Sequence, residues 1–444
     1  MISMIQRIPK IPLAALALAC ICPQAKAEDG KMVFSAAGWM QYGQIAKSLD
    51  TVLNRQPDNK GMIGTGAQFL IHYQANAWLQ VNAGLGVGAG HYIAAQRENG
   101  FYAPMGVGPY VAEANATFGI IDNESTKLSI RAGLFPYDYA PDAQNLGLYL
   151  LRGPVYPGLL TSGFETKYVL PVANTLGFQF HHQAGDFEHD LLFTFDSDWF
   201  PYWDISPAYV ATYHFGKVAR IGGGAQLYHY LPIDGKLTTQ KTDWVRYLDT
   251  TVHPNPDTTY ISFKGIKVMG NFSIDPKEMM GYDEGSSSLG PEDLKIYGEA
   301  AILGLDGDKA HNDLYGPVSK RMPMMIGFNL PAFKFLDRLN LEVEYYGAPW
   351  VDDPSIYNHT TGNQPTPIPR RSALDTNDTK DNIKWSLYAS KVVSGHVKIS
   401  AQAASDHYRP GFFQGYGDNS PPSNEVPFFS PKEWYWTGKI AYFF

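Results

Sequence analysis

Cysteine is nearly missing from this sequence. The two present, Cys20 and Cys22, lie in a stretch with the form of a cleaved export signal. Arg7 and Lys10 make a basic start, 11–21 an apolar core, and Ala25-Lys26-Ala27 a small-x-small cleavage pattern before Glu28. That core is too short to cross a bilayer as a helix, which needs about 20 residues. A competing lipoprotein site at Ala17-Leu18-Ala19-Cys20 departs from the Leu-Ala-Gly-Cys pattern at its two most informative positions. Residues 1–27 are therefore expected to be a signal peptide. A mature chain without cysteine suits passage through an oxidising periplasm with no disulfide to form.

Two further scarcities narrow the function. No later segment is a continuous apolar run of membrane-helix length. Basic residues are outnumbered: removing Arg7, Lys10 and Lys26 leaves 32 against 43 acidic residues, a mature net charge of about −11. Nucleic acid is excluded as a partner, because phosphate binding wants a basic footprint.

What is abundant is aromatic residues and glycine: 28 Tyr, 24 Phe and 43 Gly, with a mean hydropathy of −0.23. The local pattern explains the combination. The C-terminus reads EWYWTGKIAYFF, and alternate residues Trp434, Trp436, Gly438, Ile440, Tyr442 and Phe444 share one face, with Glu433 and Lys439 on the other. Leu128, Ile130, Ala132 and Leu134 alternate with Lys127, Ser129 and Arg131; Leu339, Leu341 and Val343 alternate with Asn340, Glu342 and Glu344. Ile383, Trp385 and Leu387 oppose Lys384 and Ser386, and Val397 and Ile399 oppose Lys398 and Ser400. A period of two with charge on one face is a strand pattern. A dry core would not take those charges, whereas the wet interior of a closed membrane barrel would.

The connections alternate in length. Short ones fall at 75–77, 122–125, 185–186, 216–217, 333–337 and 394–395; long polar ones cover about 46–60, 94–106, 138–172, 199–204, 232–256, 306–320, 349–381 and 409–431. Seventeen strand-like segments can be counted, but an odd number cannot close with both termini in the periplasm. Assigning the weakest, 164–170 before Pro171, to the loop at 138–172 leaves sixteen. The expected fold is all-β: a transmembrane antiparallel β-barrel of about 16 strands (16–18), with short periplasmic turns and long extracellular loops. It forms one domain over 28–444. The connection at 275–293 is long for a periplasmic turn and is expected to hold a short helix, unless the strand count is off by two.

Other constellations lack a supporting pattern. Asp306-Gly307-Asp308 with Asp313 fails the calcium-loop spacing at Ala310. His181-His182 with His189 and Asp190 flank a turn on opposite faces and are not expected to converge. Gly222-Gly223-Gly224 lies within an alternating strand, not at a strand-to-helix turn, so it is no phosphate loop. Gly84, Gly86 and Gly88 suit strand curvature. No Ser or Asp has a credible His partner, so no enzyme, metal site or cofactor is expected.

Residues 131–160 read RAGLFPYDYAPDAQNLGLYLLRGPVYPGLL, a strand running into a Pro-, Asp- and Gly-rich loop with a potential helical turn at 143–151. Following the fifth strand, it resembles the inward-folded constriction loop of the general porins of bacterial outer membranes, and Phe444 resembles their terminal insertion signal. The resemblance is architectural and covers the chain loosely. It implies a channel for passive diffusion of small hydrophilic solutes, located in the outer membrane. It also implies contact with lipid and lipopolysaccharide, the barrel-assembly machinery during biogenesis, and a homotrimer. Pore-lining candidates are then Asp138, Asp142, Arg152 and Glu165 from the loop, and Arg131, Glu113, Arg220, Glu342, Glu344, Lys384 and Lys398 from the wall. Both signs occur and no Arg/Lys ladder is present, so no ion preference follows. A substrate-specific channel with a Tyr- and Trp-rich track, or a scaffold displaying loops 349–381 and 409–431 for attachment, are the alternatives.

Overall fold

The computed structural model describes residues 30–47, 61–92, 106–152, 173–195, 203–233, 239–242, 259–262, 265–305, 319, 322–345, 383–405 and 432–444. The expected signal peptide, the 164–170 segment, the 306–313 acidic stretch and most of the expected long loops lie outside them. The first strands are β1 (Lys31–Lys47), β2 (Gly61–Asn76), β3 (Leu79–Tyr92), β4 (Gly106–Asp122), β5 (Thr126–Tyr137), β6 (Ala173–Ala184), β7 (Phe187–Phe195), β8 (Ile205–Phe215) and β9 (Ala219–Tyr228). After β10 (Thr239–Thr242) and β11 (Thr259–Ser262) come β12 (Gly265–Ile274), β13 (Ile296–Leu303), β14 (Met324–Asn329), β15 (Arg338–Tyr345), β16 (Ile383–Val393), β17 (Val397–Ser405) and β18 (Trp434–Phe443).

Sixteen of these close into one antiparallel barrel in chain order, β9 pairing with β12 and β18 returning to β1. β10 and β11 form a separate two-stranded sheet. The long connection expected at 232–256 contains β10, with β11 just beyond it. The seam is secured by pairs such as Ala37 with Phe443, and by the Phe444 N–H donating to the Ala36 carbonyl at 2.9 Å. Both ends of the barrel therefore lie on the side of the short turns. The long turn between β12 and β13 holds one helical turn, Pro276–Met279, with Asp275 accepting from the Lys277 N–H at 3.3 Å as N-cap.

Alternation decides what each face meets. Outward positions on the barrel keep large apolar side chains exposed, among them Leu85, Ile221, Ile326 and Ile440. Aromatic pairs bracket this band. Tyr42–Trp436 and Trp385–Trp434 sit toward the loop end; Trp78–Phe118, Tyr213–Phe215 and Tyr442–Phe444 sit toward the turn end. An apolar belt between aromatic girdles is the outer surface of a barrel solvated by lipid.

The interior is asymmetric. Gly133 of β5 and Gly177 of β6 are cross-strand partners with φ of +118° and +155°. A Cβ on either would lie 2.2 Å from the Ala114 carbonyl oxygen or 2.0 Å from that of Phe193, so only glycine fits. Past this pair β5 and β6 stay bonded to each other, but β5 pairs with β4 no further than Leu134, and β6 pairs with β7 only from Gly177. The two-strand ribbon leaves the wall and carries 138–152 into the barrel. There Phe135, Tyr139, Leu146, Tyr149 and Leu150 form an apolar core with Leu192, Val210, Met269, Tyr297 and Met325 of the wall.

Candidate functional site

The loop 138–152 is held against the inner wall by a set of matched polar contacts. Its turns expose consecutive backbone N–H groups, and buried N–H groups need acceptors. Glu342 of β15 accepts from the N–H groups of Gln144 (2.6 Å), Asn145 (3.0 Å) and Leu146 (2.8 Å), and from the Tyr297 hydroxyl at 2.9 Å. Glu299 of β13 accepts from the N–H groups of Leu148 (2.7 Å) and Tyr149 (2.8 Å) and from the Tyr139 hydroxyl at 2.7 Å. The Tyr149 hydroxyl donates to Glu344 at 3.0 Å. Burial first, and then the neighbouring carboxylates, hold the phenols of Tyr139 and Tyr149 well above the ordinary tyrosine range, so both stay protonated as donors.

Cations hold the other polarity. Arg152 folds back on its own loop, donating to the carbonyls of Gly147 (2.5 Å) and Asn145 (2.9 Å), and Lys267 of β12 donates to the Arg152 carbonyl. Asp142 pairs with Arg220 of β9 at 3.1 Å and with Lys295 at 3.6 Å, while Arg338 donates to the Asp142 carbonyl at 3.2 Å. The end of the described loop forms a short 3₁₀ turn, Tyr149–Leu151, where a helical turn over 143–151 was expected.

These contacts correct four of the pore-lining expectations. Glu342 and Glu344 are fully buried, Arg152 is 1% exposed and Lys384, cross-strand partner of Glu344, is 2% exposed. None of the four meets water: Glu342, Glu344 and Lys384 face inward, as their parity requires, but are covered, and Arg152 is folded back within the loop. Glu113, Arg131, Asp138, Asp142, Arg220 and Lys398 also face inward and, Glu113 apart, keep partial exposure. Glu113 is mostly covered, its carboxylate 3.8 Å from His72. Arg131 donates from Nε to the Thr117 hydroxyl at 3.3 Å. Glu165 lies outside the described residues. Glu299, which sequence reasoning passed over, is the clearest omission. Its signal was a single charge at an inward position of the otherwise uncharged strand IYGEAAIL.

Of the aromatics an aromatic track would use, Tyr388 faces inward and is partly exposed, but most of the others among the described residues are covered. Trp39, Tyr110, Tyr228, Tyr297 and Tyr435 point inward but are buried. Trp39 lies flat across Gly66 of β2, where a Cβ would come within 2.6 Å of the indole ring, and Lys439 sits 5.5 Å over it.

Away from the loop's apolar core, part of the inner wall is polar and partly exposed. The His72, Glu188 and His214 side chains are each about one third exposed (34%, 38% and 35%) on β2, β7 and β8. The histidine expectation is corrected here. The Gly185-Asp186 turn sets His181 opposite Asp190 and His182 opposite His189. Each pair converges, the first inside the barrel with His181 Nδ1 2.9 Å from Asp190, the second outside with His182 Nδ1 2.8 Å from His189 Nε2.

No protein-family model matches the sequence, and no curated protein aligns with it. Among solved structures, a mutant of the Rh. blastica porin is similar at 9% identity and a TM-score of 0.43, over 93% of this chain and 100% of that one. A Salmonella typhi OmpF complex with daunomycin is similar at 10% identity and a TM-score of 0.46, over 94% of this chain and 98% of that one.

Proposed function

We propose that the chain is an outer-membrane channel for passive diffusion of small hydrophilic solutes. One observation carries this reading: a loop docked against the inner wall of a sixteen-stranded barrel in which inward side chains such as His72, Glu188 and His214 remain wet. Sixteen strands enclose more space than side chains can fill, so a docked loop narrows the passage without the whole interior collapsing onto it. In this reading Arg131, Asp138, Asp142, Arg220, Glu113 and Lys398 are the candidate groups bordering the passage, and their mixed signs give no strong ion preference. Residues 1–27 act as a signal peptide, 28–444 form the single barrel domain, and Phe444 serves as insertion signal. Lipid, lipopolysaccharide, the assembly machinery and two further copies of the chain are the partners, and no catalysis is involved. Burial of most inward aromatics among the described residues, Trp39, Tyr110, Tyr228, Tyr297 and Tyr435, speaks against the sugar-track alternative. Single-channel conductance of the refolded chain in a planar bilayer tests the proposal. Steady ohmic steps that fall with added solute size support it; a silent bilayer from heat-modifiable, folded protein refutes it.

A further inference from the structure

The inner faces of β6, β7 and β8 bring together four metal-ligating side chains that the channel reading leaves without a role. His181 Nδ1 lies 2.9 Å from Asp190 Oδ1 and 3.9 Å from Glu188 Oε1, and His214 Nε2 lies 3.3 Å from Glu188 Oε2. The ligand atoms of His181, Glu188 and Asp190 all fall within 4.8 Å of one another. Around a tetrahedral Zn²⁺ with bonds of about 2.0–2.2 Å, ligand atoms sit roughly 3.3–3.6 Å apart. The separations among His181, Glu188 and Asp190 bracket that spacing, and His214, which reaches only Glu188, would have to turn toward them to supply a fourth ligand. Asp190 is also held from behind: Gln179 Nε2 donates to Oδ1 at 2.8 Å and the Tyr137 hydroxyl to Oδ2 at 2.9 Å. Outer hydrogen bonds of this kind fix the orientation of ligating carboxylates. The site has two carboxylates to balance a dication, and two imidazoles, which favour a transition metal over calcium or magnesium. Arg131, the cation whose charge would oppose the ion, directs its Nε to Thr117 and sits 5.5 Å over the Phe135 ring.

We propose that His181, Glu188, Asp190 and His214 form a Zn²⁺-class binding site on the inner wall, near the short-turn end of the barrel. The proposal concerns binding and holds whether or not the lumen conducts, so calorimetry decides it and conductance decides the channel reading separately. Zn²⁺ is titrated into the refolded full-length barrel, with heat-modifiability on a gel confirming the fold of each variant. The expected result is one saturable site per chain. H181A/H214A should weaken it at least tenfold, D190N should do the same without changing side-chain volume, and Y137F should weaken it about tenfold through Asp190. The outward pair provides the control: H182A/H189A should leave affinity unchanged. No saturable binding by the folded wild type, undiminished binding by folded D190N, or loss of binding only in H182A/H189A would each overturn the proposal.

Discussion

Two groups of carboxylates point into the same barrel and meet opposite surroundings. Glu299, Glu342 and Glu344, on β13 and β15, are sealed beneath the loop, where backbone N–H and phenol groups occupy them. Glu188 and Asp190, on β7, stand beside imidazoles near the short-turn end; Asp190 is covered and tied to Tyr137, while Glu188 remains 38% exposed. All five follow the same inward parity. Parity separates lipid from interior, but it does not separate a wet interior from a packed one. That second division follows the ribbon turning at Gly133 and Gly177, which delivers the fifteen described loop residues 138–152 against the wall from β7 to β15.

The largest way to break the comparison is to unseat the loop. In E299A/E342A, five backbone N–H groups of the loop lose their acceptors, including those of Gln144, Asn145 and Leu146. Each bond to a charged acceptor contributes about 1.5–3 kcal/mol. Re-solvation of the freed loop returns part of this, leaving an expected loss of roughly 4–6 kcal/mol of docking energy. Limited proteolysis should then cut within 138–152, and conductance should rise. An uncleaved loop with unchanged conductance would show that the apolar core alone holds it.

Gly133→Ala attacks the same contrast at its origin. The added Cβ meets a backbone oxygen, which cannot rotate away, in a conformation L-residues rarely adopt. The expected cost is about 1–3 kcal/mol, read as a lower unfolding temperature together with an altered conductance. A stability loss with unchanged conductance would mean the ribbon turns without this glycine.

A smaller effect comes from Asp138, just beyond β5. Burial, opposed by the Ala140 N–H and Arg220, raises its carboxyl above the ordinary range. A carboxyl raised on folding contributes stability that is present below its unfolded pKa and lost as pH rises through the folded value. At neutral pH its charge therefore opposes docking. D138N keeps the oxygen that accepts from the Ala140 N–H at 2.7 Å, so it should protect the loop from protease at neutral pH and leave it unchanged in acid. Equal protection at both pH values would remove the charge as the cause.

Much of this arrangement was legible in the sequence. Alternation at 338–345, 382–390 and 433–444 gave the strands and their faces, and the short turns gave the closure. The Pro- and Gly-rich run after the fifth strand marked the loop. The pairing of His181 with Asp190 was also within reach: a two-residue turn at Gly185-Asp186 fixes register, and directly opposed residues share a face. What could not be read was the fate of Glu342. Its flanks, LNLEVEY, are those of any wall strand, and its burial depends on a loop nearly 200 residues earlier in the chain.

Glu188→Gln, the smallest expected effect, sharpens the comparison most. Glu188 and Glu342 are both inward glutamates within strands, so a rule based on parity alone assigns them similar costs. The surroundings assign different ones. Glu188 keeps water and shares its carboxylate with His181 and His214 at 3.9 Å and 3.3 Å, so an amide of the same shape should change the unfolding temperature little, within about 0.5 kcal/mol of stability. A large loss at Glu188 would show that its surroundings are packed as tightly as those of Glu342, and exposure would then not decide the cost.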